Sequence, residues 1–470
     1  MKKFIAWLMC GCMLAATLTG CGGGAGKDTS GEPAAGGQSA ETTQSAGSDA
    51  SGSKVINVWS FTDEVPNMIE KYKELHPDFD YEIKSTIIAT TDGAYQPALD
   101  QALAAGGKDA PDIYCAEAAF VLKYSQGDAS HYAAPYEDLG IDVAAMTKEA
   151  DIAQYAIDIG TNQDGKIAAL GYQATGGAFI YRRSIAKDVW GTDDPKEVAA
   201  KIGGGSGSWD KFFAAAEELK AKGYGMISGD GDLWHAVENS SDKGWIVDGK
   251  LHIDPKREAF LDLSKELLDN GYENDTRDWQ DAWFADMKGE GAKPILGFFG
   301  PAWLINYTLA PNCGGTTAGE GTFGDWAVCD SPIGFFWGGT WLLANKDSQV
   351  KDAVADIIKW VTLDSSEDGL QYMWANGTMN ETGTKDAVAS GTVMSKSDGS
   401  VDFLGGQNMF DVFVPANQYA NGTNLTQFDE TINTYWRDQV REYTAGNKSR
   451  EQAIADFKQA VADNLDIQAE

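Results

Sequence analysis

The first part of the folded chain alternates between two spacings of apolar residues. Apolar residues run together or alternate at 54–60, 80–86 and 111–115, as they do in strands. They recur every three or four positions at 64–75 and 94–105, as they do in amphipathic helices. Strands that alternate with helices form βαβ units, so this pattern predicts an α/β fold with a mostly parallel sheet.

A second series of elements follows a glycine-rich strand pair at 165–182, where we expect the chain to cross into another domain. The same spacing rules predict strands at 223–227, 294–299 and 332–344, and helices at 209–222, 257–268, 350–362, 428–443 and 450–465. A chain of 470 residues is too long for one ordinary core, which also favours two domains.

The stretch 297–303 combines a strand, a turn and a large aromatic side chain. Its apolar strand ends at Gly300-Pro301, where the chain must turn, and Trp303 follows. An indole at such a place either fills a core or forms one wall of a site for a flat, partly apolar ligand. This stretch alone leaves both roles open.

Three candidate polar and aromatic contacts lie where predicted strands end. Trp59 is at the end of the first strand, Asp63 follows it, and Glu117 comes just after the third strand. Because ligands of parallel sheets bind beyond the carboxyl ends of the strands, these side chains are candidate ligand contacts.

The distribution of tryptophan favours a cleft for a sugar. Fourteen of the 15 tryptophans lie after residue 53, and many of them flank glycines or strand ends. Sugar rings pack their C–H faces on aromatic rings, while their hydroxyls need fixed donors and acceptors. The further candidate contacts are Gln173, Trp234, His235, Trp279, Trp283, Trp303 and Trp337.

Two pairs among these candidates depend on local structure. Trp234 and His235 end a polar segment, 228–235, that we predict to be a loop. Trp279 and Trp283 lie four positions apart and share one face if their segment is helical. A buried aromatic pair is the alternative for these two tryptophans.

Composition limits the possible partners and cofactors. The formal net charge of −33 repels phosphate backbones, so we expect no nucleic acid partner. The four histidines form no cluster with cysteines, and we expect no metal and no cofactor. Cys313 and Cys329 flank a glycine-rich loop and could form a disulfide, whereas Cys115 lies in an apolar strand.

The first 53 residues have a composition of their own. Two lysines precede a mostly apolar run at 4–18, and Leu18-Thr19-Gly20-Cys21 follows it. This order resembles the bacterial lipoprotein signal, so we expect a signal peptide at 1–20 and a lipid on Cys21 that anchors the chain to a membrane surface. Residues 21–53 are mainly small, polar and acidic, which predicts a flexible tether.

Several short motifs occur in a fixed order along the remaining chain. They are Val58-Trp59-Ser60, Pro111-Asp112-Ile113, Gly171-Tyr172-Gln173, Tyr181-Arg182-Arg183, Gly300-Pro301-Ala302-Trp303 and Gly338-Gly339-Thr340. Together with the lipoprotein signal, their order resembles the family 1 extracellular solute-binding proteins of carbohydrate ABC importers, which are maltose-binding-protein-like. The resemblance covers 54–465.

The resemblance implies a two-lobed periplasmic-binding-protein fold, in which each lobe is a mostly parallel sheet flanked by helices and hinge strands join the lobes. We expect lobe 1 at 54–171 with 332–385, and lobe 2 at 172–331 with 386–470. It further implies a monomeric, non-enzymatic protein on the outer face of the cell membrane. Such a protein captures a neutral oligosaccharide between its lobes and delivers it to the importer's permease.

Five candidate contacts carry over from the family position by position. Trp303 matches the tryptophan that stacks on sugar in relatives, which have Gly-Pro-Trp where this chain has Gly-Pro-Ala-Trp. Glu117 matches a polar ligand contact. Trp59 and Asp63 follow the first strand, where relatives touch sugar, and Trp337 precedes glycines near the hinge. The inserted alanine leaves open which face of the Trp303 indole meets the ligand.

Two other functions stay open at this point. A lipid-anchored glycosidase needs two carboxylates across one cleft, and acidic residues are so abundant here that their number does not indicate such a pair. A binding protein for another class of solute, such as a peptide, is the second alternative.

Overall fold

The computed structural model describes residues 54–90 and 93–469. The predicted signal peptide at 1–20, the lipid attachment at Cys21 and the tether at 21–53 lie outside the described residues. Within 54–90 and 93–469, no helix is both long enough and apolar enough to cross a membrane.

Strands and helices alternate at the start of the described chain, and runs of helices separate most of the later strands. The strands are β1 (Val55–Ser60), β2 (Glu82–Ile87), β3 (Ile113–Glu117), β4 (Ala169–Gly171), β5 (Ala178–Arg182), β6 (Ile246–Val247), β7 (Lys250–Leu251), β8 (Gly297–Gly300), β9 (Trp326–Cys329) and β10 (Thr340–Ala344).

The longer helices match the segments predicted from apolar spacing. The helices are α1 (Glu64–Leu75), α2 (Tyr95–Ala105), α3 (Val121–Ser125), α4 (Val143–Ala150), α5 (Gln154–Gly160), α6 (Arg183–Trp190), α7 (Pro195–Ile202), α8 (Asp210–Ala221), α9 (Asp230–Glu238), α10 (Pro255–Asn270), α11 (Asp281–Lys288), α12 (Ala302–Leu304), α13 (Ala310–Asn312), α14 (Lys351–Thr362), α15 (Leu370–Ala375), α16 (Gly391–Met394), α17 (Phe410–Ala416), α18 (Asp429–Thr444) and α19 (Arg450–Leu465). A π-helical turn, Ile305–Leu309, joins α12 to α13.

The first sheet has five strands in the order β2-β1-β3-β10-β4. Strand β1 is parallel to both of its neighbours, with Val58 opposite Ser85 of β2 and Ile113 of β3. Strand β10 is antiparallel to β3 and β4. The α/β prediction and the parallel arrangement of the first three strands are confirmed. Strand β10 reverses direction because it enters this sheet from the second sheet instead of through a crossover helix.

The second sheet has three strands in the order β8-β5-β9, and both of its strand pairs are antiparallel. The prediction of a mostly parallel sheet in each lobe is therefore wrong in strand direction here. Alternation of strands and helices fixes direction only where a strand, its helix and the next strand are consecutive in one sheet. Long stretches of chain separate β5 from β8, so this rule does not apply to them.

Both faces of β5 are buried, which explains its continuous apolar sequence. Ala178 and Ile180 pack in a core that also contains Ile56 and Val58 of the first sheet. Phe179 and Tyr181 point to the other face and pack in a second core. Full burial of a side chain such as Ile180 or Phe179 stabilises the fold by about 1.5–3 kcal/mol.

The chain crosses between the sheets through segments that pair with one another. The backbone N–H of Trp337 donates to the carbonyl of Thr175 at 3.1 Å, and that of Gly177 donates to Phe335 at 2.9 Å. A third segment, 386–390, pairs with 172–174. A Cβ at Gly177 would lie 2.1 Å from the Phe335 ring, so this close approach requires glycine. The predicted lobe boundaries fall near these segments and stay a prediction.

Three local predictions are corrected by the structure. Segment 228–235 lies largely in α9 instead of a loop, because the Asp232 carboxylate accepts hydrogen bonds from the backbone of Ser228 and Gly229 at the start of the helix. Segment 223–227 is not a strand, and only Gly225 bridges to Ile295.

The predicted Cys313–Cys329 disulfide is also wrong, because both residues are free and buried, as is Cys115. The Cys313 thiol donates to the carbonyl of Ala310 at 3.0 Å. Cys313 packs in the first core and Cys329 packs in the second, so the two thiols face different interiors.

Candidate functional site

A cleft of about 370 Å³ lies at the edge of the first sheet where its parallel strands end, which is the usual position for a ligand in an α/β fold. Its volume is within the range of small-molecule sites. The cleft is lined by Phe61, Thr62, Glu64, Ala89, Thr90, Glu117, Phe120, Gln173, Trp279, Trp303, Tyr307, Trp337, Gly339, Thr340 and Glu430. Most of its polar residues come from the first sheet and its neighbours.

Four aromatic side chains form one wall of the cleft. The indoles of Trp279 and Trp303 are nearly parallel, with an interplanar angle of 9° and ring centroids 6.3 Å apart. The Trp337 ring lies 4.7 Å from Trp303, and Tyr307 lies 6.3 Å from it. We call Trp279, Trp303, Tyr307 and Trp337 the aromatic wall.

Backbone contacts position Trp303 within this wall. Strand β8 ends at Gly300, Pro301 turns the chain, and Trp303 follows in α12. The indole N–H of Trp303 donates to the carbonyl of Trp337 at 3.1 Å. Gly338 has a φ of +74°, and a Cβ there would lie 3.2 Å from the Trp303 indole. Glycine at 338 therefore satisfies both the left-handed backbone and the close approach of the ring.

Trp279 adopts a backbone conformation that is rare for a large side chain. Its φ is +65°, in the left-handed region, and its indole is 40% exposed. The preceding residue, Asp278, is anchored by His235 and Arg437, each 3.3 Å from its carboxylate. Such strain persists only where surrounding contacts hold it, and it is typical of ligand-binding segments.

Three carboxylates face the cleft without an ion-pair partner among the described residues. Glu64 accepts a hydrogen bond from the Tyr172 hydroxyl, and Glu430 accepts one from the Gln96 amide at 2.5 Å. Glu117 accepts one from the backbone N–H of Ala119 at 2.8 Å. Each carboxylate keeps acceptor capacity for a ligand.

Burial changes the proton affinity of these carboxylates. It raises the pKa of Glu64 to about 8, with further contributions from the charges of Asp386 and Asp63. Burial also raises the pKa of Glu117 to about 8, although the N–H of Ala119 opposes the shift. The pKa of Glu430 is raised by burial as well. A ligand that donates hydrogen bonds here stabilises the charged forms.

Gln173 lies where the two sheets are connected. Its side chain is 8% exposed, and its amide donates to the Asp386 carboxylate at 3.1 Å. Burial raises the pKa of Asp386 to about 7. The Gln173 amide is thus held in one orientation, with its carbonyl oxygen free to accept from a ligand.

The structure brings five of the ten predicted contacts to this cleft. These five are Glu117, Gln173, Trp279, Trp303 and Trp337. The other five lie elsewhere. Trp59 packs half-buried against the first core, and Asp63 is exposed just before α1. Trp283 is fully buried, and its indole N–H donates to Asp232 at 3.1 Å. Trp234 and His235 line a separate, smaller cavity.

Sequence reasoning missed several lining residues. Tyr307 follows Trp303 by four positions, and this spacing on a helical segment was a usable signal. Glu64 is the neighbour of the predicted Asp63. Glu430 comes from α18, far along the chain, and no local signal indicates that it reaches the cleft.

The arrangement suits a ligand with apolar ring faces and hydroxyl edges. Aromatic faces supply contact area, and the carboxylates and Gln173 supply acceptors. Within 54–90 and 93–469, no group of three or more His, Cys, Asp or Glu side chains is placed to hold a metal ion.

Known structures with a similar fold are binding proteins. A crystal structure of an extracellular solute-binding protein of family 1 aligns with a TM-score of 0.67 at 19% identity, covering 86% of this chain and 97% of that chain. The galacto-N-biose-/lacto-N-biose I-binding protein of a Bifidobacterium longum ABC transporter, in complex with lacto-N-biose, aligns at 0.63 and 16% identity, covering 90% and 100%. The sugar-binding protein MalE from Xanthomonas citri aligns at 0.64 and 14% identity, covering 87% and 96%.

These likenesses show that the chain has the two-lobed periplasmic-binding-protein fold, as the sequence predicted. A search of curated proteins returns no match. The model of the family described as bacterial extracellular solute-binding protein matches residues 59–368. Because this match covers more than half of the chain, the chain belongs to the bacterial extracellular solute-binding protein family.

Proposed function

We propose that this protein captures a neutral oligosaccharide between its lobes and delivers it to the permease of an ABC importer. The observation that carries the proposal is a single cleft lined by both the aromatic wall and three carboxyl groups. Sugar rings stack on such a wall, and each hydrogen bond between a sugar hydroxyl and a carboxyl group contributes about 0.5–1.5 kcal/mol, or about 1.5–3 kcal/mol where the carboxyl is charged. The contacts we assign are Glu117, Gln173, Trp279, Trp303 and Trp337, joined by Glu64 and Tyr307.

The charge of the lining supports a ligand without negative charge. Among the described residues, none that lines the cleft is lysine, arginine or histidine. The charge of a sugar acid or sugar phosphate would therefore be buried in the cleft without a cationic partner, which is unfavourable. The similar proteins from Bifidobacterium longum and Xanthomonas citri, a lacto-N-biose complex and a sugar-binding protein, agree with a sugar ligand.

We further propose that Cys21 carries a lipid that keeps the binding protein at the outer face of the cell membrane, as a monomer. The lipoprotein signal at 1–20 and the tether at 21–53 support this proposal. A tether lets the folded part search for the permease while staying near the membrane.

Calorimetric titration with defined oligosaccharides from starch, xylan, galactan, mannan and milk tests the function. We expect binding of at least one neutral oligosaccharide and no binding of its uronic-acid analogue. If peptides raise the melting temperature and no sugar does, the solute is of another class. Shortened products after incubation would instead support the glycosidase alternative, for which Glu64, Glu117 and Glu430 would be the candidate carboxylates.

A further inference from the structure

Two smaller cavities lie next to the cleft and share lining residues with it. Glu117 and Trp337 of the cleft also line a small cavity of about 60 Å³, which we call the passage. The passage shares Ala119 and Glu238 with a cavity of about 230 Å³, which we call the rear chamber. Glu430 lines both the cleft and the rear chamber. The three spaces therefore meet around a few shared side chains.

The passage is the smallest of these three spaces. One water molecule needs about 10–15 Å³ of cavity volume, so the passage holds more than a single water. It is much smaller than the cleft or the rear chamber. This size suits a linkage between two rings better than a ring itself.

The rear chamber offers hydrogen-bonding groups in place of the stacked aromatic faces of the cleft. Helix α18 contributes Asn433 and Arg437, and helix α9 contributes His235 and Glu238. Asn433 donates to Glu238 at 2.5 Å and accepts from the Trp245 indole at 2.7 Å, which fixes both side chains. Such a fixed polar lining is typical of a site that orients hydroxyl groups.

His235 adds a buried polar group without a hydrogen-bond partner. Its side chain is 6% exposed, and its Nε2 lies 3.3 Å from the Asp278 carboxylate. Neither of its ring nitrogens makes a hydrogen bond within the described residues. Its ring stacks on Trp337 at 3.5 Å with an interplanar angle of 13°. His235 thus joins the rear chamber to the aromatic wall through its ring.

We propose that the rear chamber is a second sugar subsite, which takes a further ring of a linear oligosaccharide whose first rings stack in the cleft. The glycosidic linkage passes Trp337 and Glu117 through the passage. Arg437 donates to the hydroxyls of the rear ring, and Glu238 accepts from them. This inference rests on the proposed function, and it assigns a ligand too long for the cleft alone.

The test places a large side chain in the rear chamber and leaves the aromatic wall intact. Thr434 is an exposed residue of α18 that lines the rear chamber, so Thr434→Trp obstructs it. Thr434→Ser is the conservative control, since it adds no bulk and keeps the hydroxyl that donates to the Glu430 carbonyl. Ala455→Trp adds a tryptophan at an exposed position of α19, outside the rear chamber.

Each variant is incubated with partial hydrolysates of starch, xylan, galactan and mannan, and native mass spectrometry reads the length of the sugar retained. We expect wild type and both controls to retain longer oligosaccharides preferentially. Thr434→Trp should shift retention to shorter ones and weaken binding of the longer species at least tenfold, while the shortest bound species changes less than twofold.

An unchanged length profile in Thr434→Trp overturns the rear subsite but leaves sugar binding in the cleft standing. Retention of no sugar by the wild type overturns the proposed function and the subsite with it. If Thr434→Trp does not fold, Ala119→Met obstructs the same route, because Ala119 lines both the passage and the rear chamber.

Discussion

Trp303 is the residue whose removal should weaken ligand binding most. It contacts both Trp279 and Trp337, and its N–H is already bonded to a backbone carbonyl, so the ring face is the part left for a ligand. We expect Trp303→Ala to lower sugar affinity by about 1–3 kcal/mol, the usual effect of removing an aromatic anchor. Calorimetry on the oligosaccharide found by the panel measures this change.

Trp190→Ala is the matched control for that substitution. Trp190 ends α6, does not line the cleft, and its indole bonds to Glu218 at 2.6 Å. It should leave the affinity unchanged. Equal affinities in wild type and Trp303→Ala would remove Trp303 from the assigned contacts.

Two substitutions of Trp279 can separate an effect on stability from an effect on binding, because the backbone of this residue is left-handed. Asparagine tolerates this conformation better than alanine does, by about 1 kcal/mol. We therefore expect Trp279→Asn to unfold at a higher urea concentration than Trp279→Ala, although both variants lose affinity. Equal midpoints in the two variants would mean that the backbone relaxes once the indole is gone.

Glu64 makes stability depend on pH. Its pKa is about 8 in the folded protein against an ordinary value of 4.5, so between these values the folded state binds more protons than the unfolded state. The contribution of Glu64 to the free energy of unfolding is therefore fully present below about pH 4.5, and it is lost as the pH rises towards 8. Glu64→Gln should flatten this dependence and be more stable than wild type at pH 8 by about 1–3 kcal/mol.

Urea unfolding at pH 5.5 and pH 8 checks that prediction. Glutamine can still accept the Tyr172 hydroxyl hydrogen, so folding is preserved. Glu70→Gln, on the exposed side of the same helix, serves as the control. A Glu64→Gln variant that keeps the wild-type pH dependence would show that this carboxyl does not titrate as described.

The local sequence identified tryptophans as candidate ligand contacts, but it could not tell which of them line the cleft and which are buried in a core. Trp279 and Trp283 look equivalent by spacing, yet α11 begins at Asp281 and leaves Trp279 outside the helix. Trp283 is then carried into the interior, while Trp279 faces the cleft. The start of one short helix decides the outcome, and propensity places such boundaries poorly.

At the scale of elements, a buried charge network connects the Trp279 segment to two helices. Asp278 lies 3.3 Å from both His235 of α9 and Arg437 of α18, and its side chain is 7% exposed. Burial opposes its ionisation, but Arg437 and His235 hold the pKa of Asp278 well below its ordinary value. The network therefore fixes the backbone beside Trp279, which belongs to the aromatic wall.

Asp278→Asn should therefore destabilise the fold by about 3 kcal/mol, because it leaves the Arg437 guanidinium without its counter-charge. It should also weaken sugar binding, since Trp279 is adjacent. Asp438→Asn on the same helix is the control, because its ion pair with Arg441 spans 3.9 Å and Asp438 is 61% exposed, so we expect a change within about 0.5 kcal/mol. Similar denaturation midpoints in the two variants would contradict the role of the network.

The elements themselves were largely predictable because amphipathic spacing is a local property. Helix α1 occupies the predicted 64–75, with Val65, Met68 and Ile69 buried. Strand direction in the second sheet was not predictable, because β5 pairs with strands that come much later in the chain. Helix α9 was missed since its capping carboxylate, Asp232, looks like any polar loop residue in the sequence.

At the scale of the whole molecule, the two sheets share one of the two cores. The first core contains Val58 and Ile113 of the first sheet together with Ile180, Phe298 and Val328 of the second. The segments that cross between the sheets are also hydrogen-bonded to one another. We therefore infer that the two sheets unfold together, and that a ligand in the cleft stabilises both.

Scanning calorimetry with and without the bound oligosaccharide tests this coupling. A ligand at a concentration of 100 times Kd stabilises the folded state by about 2.7 kcal/mol. We expect one unfolding transition that moves to higher temperature as a unit, because the cleft is lined from the first sheet, from α12, which follows β8 of the second sheet, and from α18. Trp303→Ala at the same sugar concentration should shift less. Two transitions, of which only one responds to sugar, would show that each sheet unfolds with its own core and that the shared packing does not couple them.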